Sequence, residues 1–161
     1  MRCLLVSQPR HAAEAWRRCG LAGQPLIRHA PASRHGLPQV EQDLDRAIRS
    51  SGPFPWLIAA GPACALVQHV ATQSLSVRAM GAVLLFPDDW LDAHIRVQLT
   101  ETPFAFPVLT MGASAALNLA WRAVDLPADQ TTGILQSPAF QTLHAARKAA
   151  LQSSGALAAQ P

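Results

Sequence analysis

The sequence predicts an α/β fold, a three-layer, doubly wound and mostly parallel sheet of about five to six strands. Three observations favour this class. Short apolar runs alternate with amphipathic, helix-like segments along the chain. Two of the runs, residues 56–60 and 80–86, are apolar throughout, as strands buried on both faces are. Repeated strand–helix–strand order requires right-handed crossovers and therefore a parallel sheet with helices on both faces.

Each element follows from a local pattern. Short apolar runs bounded by Pro, Gly or Ser predict the strands. These are residues 2–6, 25–29, 56–60, 80–86 and 106–111. Apolar residues spaced three or four apart predict the helices. These are residues 11–19, 39–49, 62–73, 88–99, 115–124 and 139–151. We expect one domain over residues 1–151, followed by a flexible tail, residues 152–161.

The composition indicates a small cytoplasmic domain. The chain has 161 residues, half of them hydrophobic, which is enough to bury a core. No apolar run approaches the ~18–20 residues that span a bilayer, and the apolar stretch near the start is too short for a signal peptide. The three cysteines, Cys3, Cys19 and Cys64, are odd in number and widely spaced. This usage argues against a disulfide framework and against a structural zinc site.

Charge and motifs give no support for nucleic acid, a cofactor or a metal. The net charge is +3, and the arginines of the first third are scattered, which is typical of a solvated face. No phosphate-binding loop of the GxxxxGK[ST] or GxGxxG type follows a strand. The histidines lack metal-ligand spacing, and Asp88 and Asp89 suit the first turn of a helix better than a cation site. We therefore predict no cofactor and no membrane contact.

The loop after the third strand has the layout of a nucleophile elbow. Residues 59–65 read AAGPACA, a strand, a tight turn of small residues and then a helix. Such turns need small residues because the backbone bends sharply and the helix packs closely. The apex is Gly61, which has no side chain to react, so Ala60-Gly61-Pro62-Ala63 is a degenerate elbow. Cys64 lies one turn into the helix, where packing is the expected role and nucleophilic attack the weaker alternative.

A second candidate elbow follows the fifth strand. Residues 112–116 read GASAA, and Asp125, Asp129 and His144 come later in the order Ser, Asp, His. The signal is weak because a serine before an apolar helix is most often its N-cap. Ser114 is therefore a weak candidate nucleophile, and His144 a weak candidate base.

Taken in order, four segments resemble the small serine hydrolases of the YdeN type, the retinoblastoma-binding-protein-like branch of the α/β hydrolases. The segments are RCLLVSQPRHAAEAWRRC, VEQDLDRAIRSSGPFPWLIAAGPACALVQHVAT, VRAMGAVLLFPDDW and FAFPVLTMGAS. They cover roughly residues 2–112. The resemblance implies a hydrolase-like sheet, with a flavodoxin-like domain as the alternative doubly wound fold.

The resemblance does not carry the family's catalytic residues onto this chain. Where the family has His-Ser-x-Gly, this sequence has Ala60-Gly61-Pro62-Ala63. Where the family has Ser-x-x-Asp after the strand that corresponds to FPVLTM, residues 112–115 read GASA, and the family's Gly-His has its nearest counterpart in Gly133-Ile134. Nucleophile, acid and base positions are all empty, although the chain after residue 112 is also shorter than is usual in the family.

These features predict a non-catalytic protein of hydrolase lineage that binds a protein partner or a small ligand. An active esterase-like hydrolase with its nucleophile moved to Ser114 or Cys64 is the alternative. A flavodoxin-like binding or signalling domain is a third, weakened by the absence of an acid after the third strand and by a single hydroxyl in residues 7–10. A homo-oligomer is compatible with each of the three.

Overall fold

The sheet forms the centre of the molecule. In the computed structural model, the described residues are 1–7, 26–28, 37–52, 54–61, 63–73, 78–85, 104–111, 123–126 and 133–156. Six strands run parallel in the order β2-β1-β3-β4-β5-β6. Their bounds are β1 Cys3–Ser7, β2 Leu26–Arg28, β3 Trp56–Ala60, β4 Gly81–Leu85, β5 Val108–Met111 and β6 Ala123–Leu126. The predicted α/β class with a parallel sheet is confirmed.

Helices cover both faces of this sheet. The described helices are α1 Leu37–Ser50, α2 Ala63–Gln73 and α3 Pro138–Ser153, and a 3₁₀ turn at Ile134–Gln136 precedes α3. Leu57 of β3 faces the core that α1 and α2 cover, whereas Ile58 faces the core that α3 covers. Successive strand residues therefore serve opposite layers, as the pleat requires. Both neighbours are fully buried, which explains why β3 is apolar at every position.

Helix α1 shows how sequence pattern becomes packing. Leu44 and Ile48, one turn apart, are buried against the sheet. On the solvent side, Asp43 pairs with Arg46 at 2.9 Å and Asp45 pairs with Arg49 at 2.7 Å. Exposed pairs of this kind contribute only about 0.3–0.5 kcal/mol each. Burial of Leu44 and Ile48 therefore contributes more than these pairs to holding α1 against the sheet.

The structure corrects two predicted boundaries. The sequence places Ala123 and Val124 at the end of a helix, but they begin β6, where Val124 pairs with Leu109 of β5. A strand of four residues carries too little periodicity to be told from a helix end. The predicted tail begins too early, because Gln152 and Ser153 still belong to α3.

Other predictions fall outside the described residues. These are the helices at residues 11–19 and 88–99, residues 115–122 of the sixth predicted helix, and residues 157–161 of the tail. Within the described parts of the chain, no helix is long and apolar enough to span a bilayer.

Candidate functional site

The order of the strands points to one edge of the sheet as the ligand site. Strand β1 pairs with β2 on one side and with β3 on the other, so the winding of the sheet reverses direction at β1. In open α/β sheets, ligands bind outside the carboxyl ends of the strands at this reversal. The site therefore lies between Ser7, the last residue of β1, and Gly61, which follows β3. We call this region the switch crevice.

The turn after β3 has the sharp form expected of a nucleophile elbow. Strand β3 ends at Ala60 and α2 begins at Ala63, so two residues make the whole connection. Gly61 has a φ of +58°, in the left-handed region that side chains disfavour and glycine tolerates. Its N–H donates to the carbonyl oxygen of Leu85 at 3.0 Å, and its own carbonyl accepts from the N–H of Cys64 at 3.0 Å. Two backbone hydrogen bonds thus help to hold the turn.

The chemistry of an elbow is missing from this turn in two ways. Gly61 occupies the apex, where an active enzyme carries its nucleophilic side chain. The next residue supplies, through its backbone N–H, one donor of the oxyanion hole in such enzymes. In this chain that residue is Pro62, which has no backbone N–H. The sequence analysis missed this second loss, although the residue type alone reveals it.

Cys64 lies in the core rather than in the switch crevice. Its side chain is fully buried, and its Sγ donates to the carbonyl oxygen of Leu85 at 3.6 Å. Burial, the largest cause, raises the pKa of the Cys64 thiol far above its ordinary range, so the group stays protonated at neutral pH. Nucleophilic attack needs an accessible thiolate. This environment fits the packing role.

His144 lies at the opposite edge of the sheet. Its Nδ1 accepts a hydrogen bond from Nε1 of Trp56 at 3.0 Å. Trp56 is the first residue of β3, whereas Gly61 follows its last. Five residues of strand span about 16 Å. A general base must come within about 3 Å of the proton it removes, so His144 cannot serve a nucleophile at Gly61.

Some of the remaining candidate residues are packed in the core, and the others lie outside the described residues. Ala60 and Ala63 are buried, and their small size lets the helix start directly against the strand. Pro62 and Ser114 lie outside the described residues, as do Asp88, Asp89 and Asp129. Among the residues that are described, no three His, Cys, Asp or Glu side chains come together as metal ligands.

A solved structure resembles this fold over nearly the whole chain. It is a crystal structure from Pectobacterium atrosepticum, provisionally described as a YdeN-like hydrolase. The TM-score is 0.59, and the match covers 92% of this chain and 91% of the other at 16% sequence identity. The fold is hydrolase-like. Strand order alone would also allow a flavodoxin-like sheet, because β1 to β5 lie in the order 2-1-3-4-5 that flavodoxin-like domains also have.

The likeness extends to the fold and no further. At 16% identity it says nothing about which residues are catalytic. A scan against protein-family models and a search of curated proteins found no match.

Proposed function

We propose that this chain is a non-catalytic protein of hydrolase lineage, which binds a protein partner or a small ligand in the switch crevice. The observation that carries the proposal is Gly61 at the apex of the elbow. Its φ of +58° is the backbone conformation of a strained apex, yet no side chain is there to react. The cytoplasmic location and the homo-oligomer remain predictions from the sequence.

The neighbouring residues support the loss of catalysis. Removing a triad nucleophile or base costs about 10⁴–10⁶ in rate, and what remains comes from the oxyanion hole and binding. Pro62 also removes one oxyanion-hole donor, a group worth about 10²–10³ in rate. His144, the candidate base, bonds to Trp56, which lies about 16 Å from Gly61 along β3. A site without a nucleophile, an oxyanion-hole donor and a nearby base can still bind a ligand, but it has little catalytic power.

The small residue that leaves the turn without a nucleophile also favours binding of another molecule. Gly61 is buried, and without a Cβ it brings no side chain into the space at the ends of β1 and β3. The Leu85 carbonyl accepts from both the N–H of Gly61 and the Sγ of Cys64, and so anchors the turn. A turn anchored in this way loses little freedom when a ligand binds, which favours affinity.

The binding proposal is tested by filling the crevice without disturbing the turn. Asn tolerates positive φ better than other side chains, so Gly61→Asn should keep the fold and obstruct the site. Gly155→Asn is the matched control, because Gly155 has a φ of +73° and its Cβ would meet nothing within 4 Å. Native mass spectrometry of the freshly purified proteins gives the readout.

The expected result is a bound small molecule or a protein partner on the wild type and on Gly155→Asn that is missing from Gly61→Asn. Equal occupancy of all three proteins would contradict binding in the switch crevice. Circular dichroism and thermal melts of each variant show that a loss of binding is not a loss of fold.

The alternative, an active hydrolase with a relocated nucleophile, has one observation in its favour. Strand β5 ends at Met111, at the same carboxyl edge as Gly61, because the strands are parallel. The sequence places Ser114 three residues later, in Gly-Ala-Ser-Ala-Ala. His144 is at the amino edge and would not serve there either, so this alternative needs a base from another part of the chain. Loss of fluorophosphonate labelling in Ser114→Ala would identify it.

A further inference from the structure

The inner face of α3 is unusually polar for a helix that covers a sheet. Phe140, near the start of the helix, and Leu151, near its end, are buried in the core. Between them the inward positions include His144 and Arg147, both only half-buried. Leu143 adds a partly buried apolar contact. The middle of the helix therefore presents both apolar and polar side chains to the sheet.

The main polar contact joins His144 to the core of the sheet. Trp56 is 1% exposed, and its indole ring lies 4.6 Å from the ring of Phe140 between centroids. Its Nε1 donates to Nδ1 of His144 at 3.0 Å. The indole N–H can only donate, so Nδ1 must carry a free lone pair and the imidazole must be neutral, with its proton on Nε2. If Nδ1 were protonated, its N–H would face the N–H of Trp56, and the hydrogen bond would be lost.

The charges around His144 also oppose its protonation. On α3, Lys148 lies one turn further on and Arg147 three residues on, and the chain's amino terminus adds a cation from the start of β1. On β3, the contacting Trp56 carries no charge. Three carboxylates belong to α1, which packs on the other face of the sheet. They are Glu41, Asp43 and Asp45. Burial, first, and then Lys148 and the amino terminus lower the pKa of His144 below its ordinary value.

We propose that the Trp56–His144 hydrogen bond is a pH-sensitive latch for α3: neutral His144 holds the helix on the sheet, and protonated His144 releases it. In the released state, the faces of Trp56 and Phe140 that now pack together become accessible. The device lies at the amino edge of the sheet, remote from the switch crevice, and does not depend on the proposed function.

The direction of the effect follows from linkage. The docked state binds a proton more weakly than the released state, whose histidine has an ordinary pKa of about 6.5. Docking is therefore fully favourable above that value and weakens as pH falls from about 6.5 towards the lowered pKa of docked His144. For each pH unit by which docking lowers the pKa of His144, the equilibrium constant for release of α3 rises tenfold at low pH.

Hydrogen exchange measured along the chain tests the latch. Peptides from α3 and β3 of the wild type are compared at pH 8 and pH 5, after correction for the intrinsic pH dependence of exchange. The matched variant is His144→Asn, whose side-chain oxygen can accept the Trp56 N–H but cannot titrate. We expect protection of α3 in the wild type to fall about tenfold at pH 5, with a much smaller change in β3 and in the variant.

Two results would overturn the proposal. One is an equal loss of protection in α3 and β3, which would mean global unfolding rather than release of the helix. The other is a His144 pKa at or above about 6.5 in the wild type, measured by NMR titration of its ring proton. The titration needs no variant, so it decides the question even if His144→Asn does not fold.

Discussion

The backbone N–H of Gly61 donates to the carbonyl oxygen of Leu85 across 3.0 Å, and so ties the end of β3 to the end of β4. Main-chain hydrogen bonds and the Cys64 thiol thus hold this turn, with no side chain at Gly61. The proposed non-catalytic function implies that the lineage lost the nucleophile and kept the turn.

Restoring a hydroxyl at the apex should not restore catalysis. Gly61→Ser places an Oγ where the nucleophile belongs, at a cost of about 1–2 kcal/mol for a side chain at positive φ. Because Pro62 cannot donate to an oxyanion and His144 lies at the other edge, we expect hydrolysis of p-nitrophenyl acetate no faster than with Gly61→Ala. A rate a hundredfold above that control would show that a base and an oxyanion hole are in place.

Gly81 is required by the indole of Trp56, its partner in the register of β3 and β4. A Cβ at Gly81 would lie 2.4 Å from Cζ3 of Trp56 and 2.8 Å from the carbonyl oxygen of Pro107. Overpacking of this kind costs about 1–3 kcal/mol. We expect urea unfolding to show that loss for Gly81→Ala. Gly155→Ala, where a Cβ meets nothing within 4 Å, should cost about 1–2 kcal/mol, from its positive φ alone. Equal stability of Gly81→Ala and the wild type would refute the contact.

The buried thiols should resist alkylation. Burial raises the pKa of Cys3 to about 11 and raises that of Cys64 further. At pH 8 both are protonated and shielded, and thiolate is the reactive form. In a Cys19→Ser background, iodoacetamide should modify neither thiol in the native state and both in urea. Rapid native labelling at Cys64 would restore it as a candidate nucleophile.

The energy of the Trp56–His144 hydrogen bond can be measured by a double-mutant cycle. Trp56→Phe removes the donor, His144→Ala removes the acceptor, and the double variant removes both. At pH 8 we expect a coupling energy of about 1 kcal/mol in urea unfolding. At pH 5 it should be smaller, because the bond is lost as pH falls towards the lowered pKa of His144 and the protonated ring no longer accepts. A coupling that is the same at both pH values would show that the bond is insensitive to protonation.

The contact of His69 with Glu41, between α2 and α1, should contribute little. Nε2 of His69 lies 2.9 Å from Oε1 of Glu41, but their side chains are 44% and 28% exposed. Solvent and salt screen such a pair, so we expect His69→Ala to lower the free energy of unfolding by less than about 1 kcal/mol. A larger loss that persists in 0.5 M salt would indicate a packing role for the imidazole.

The sequence predicted the central part of the fold because that part is encoded locally. Strand β3, all apolar, was placed at residues 56–60, where the structure has it, and α2 begins one residue after the predicted start. The tight turn between β3 and α2 was also readable, because strand, small residues and helix follow one another directly. Strand β6 was not, since its four residues become a strand only by pairing with β5, an interaction between distant parts of the chain.

The place of His144 could not be predicted for the same reason. The order Ser, Asp, His along the chain suggested a base, but order does not say at which edge of the sheet a residue lies. That depends on where α3 crosses the sheet, which Trp56 and Phe140 decide by packing together. Nothing near residue 144 in the sequence records that contact, since Trp56 is 88 residues away along the chain.

The most direct test of the central claim is covalent labelling of the wild-type protein with a fluorophosphonate, followed by intact mass spectrometry. Ser114→Ala and Cys64→Ala are treated in parallel, and circular dichroism shows that each sample is folded. The non-catalytic account predicts no adduct on any of the three proteins. An adduct on the wild type that disappears in either variant would contradict it and identify that residue as a working nucleophile.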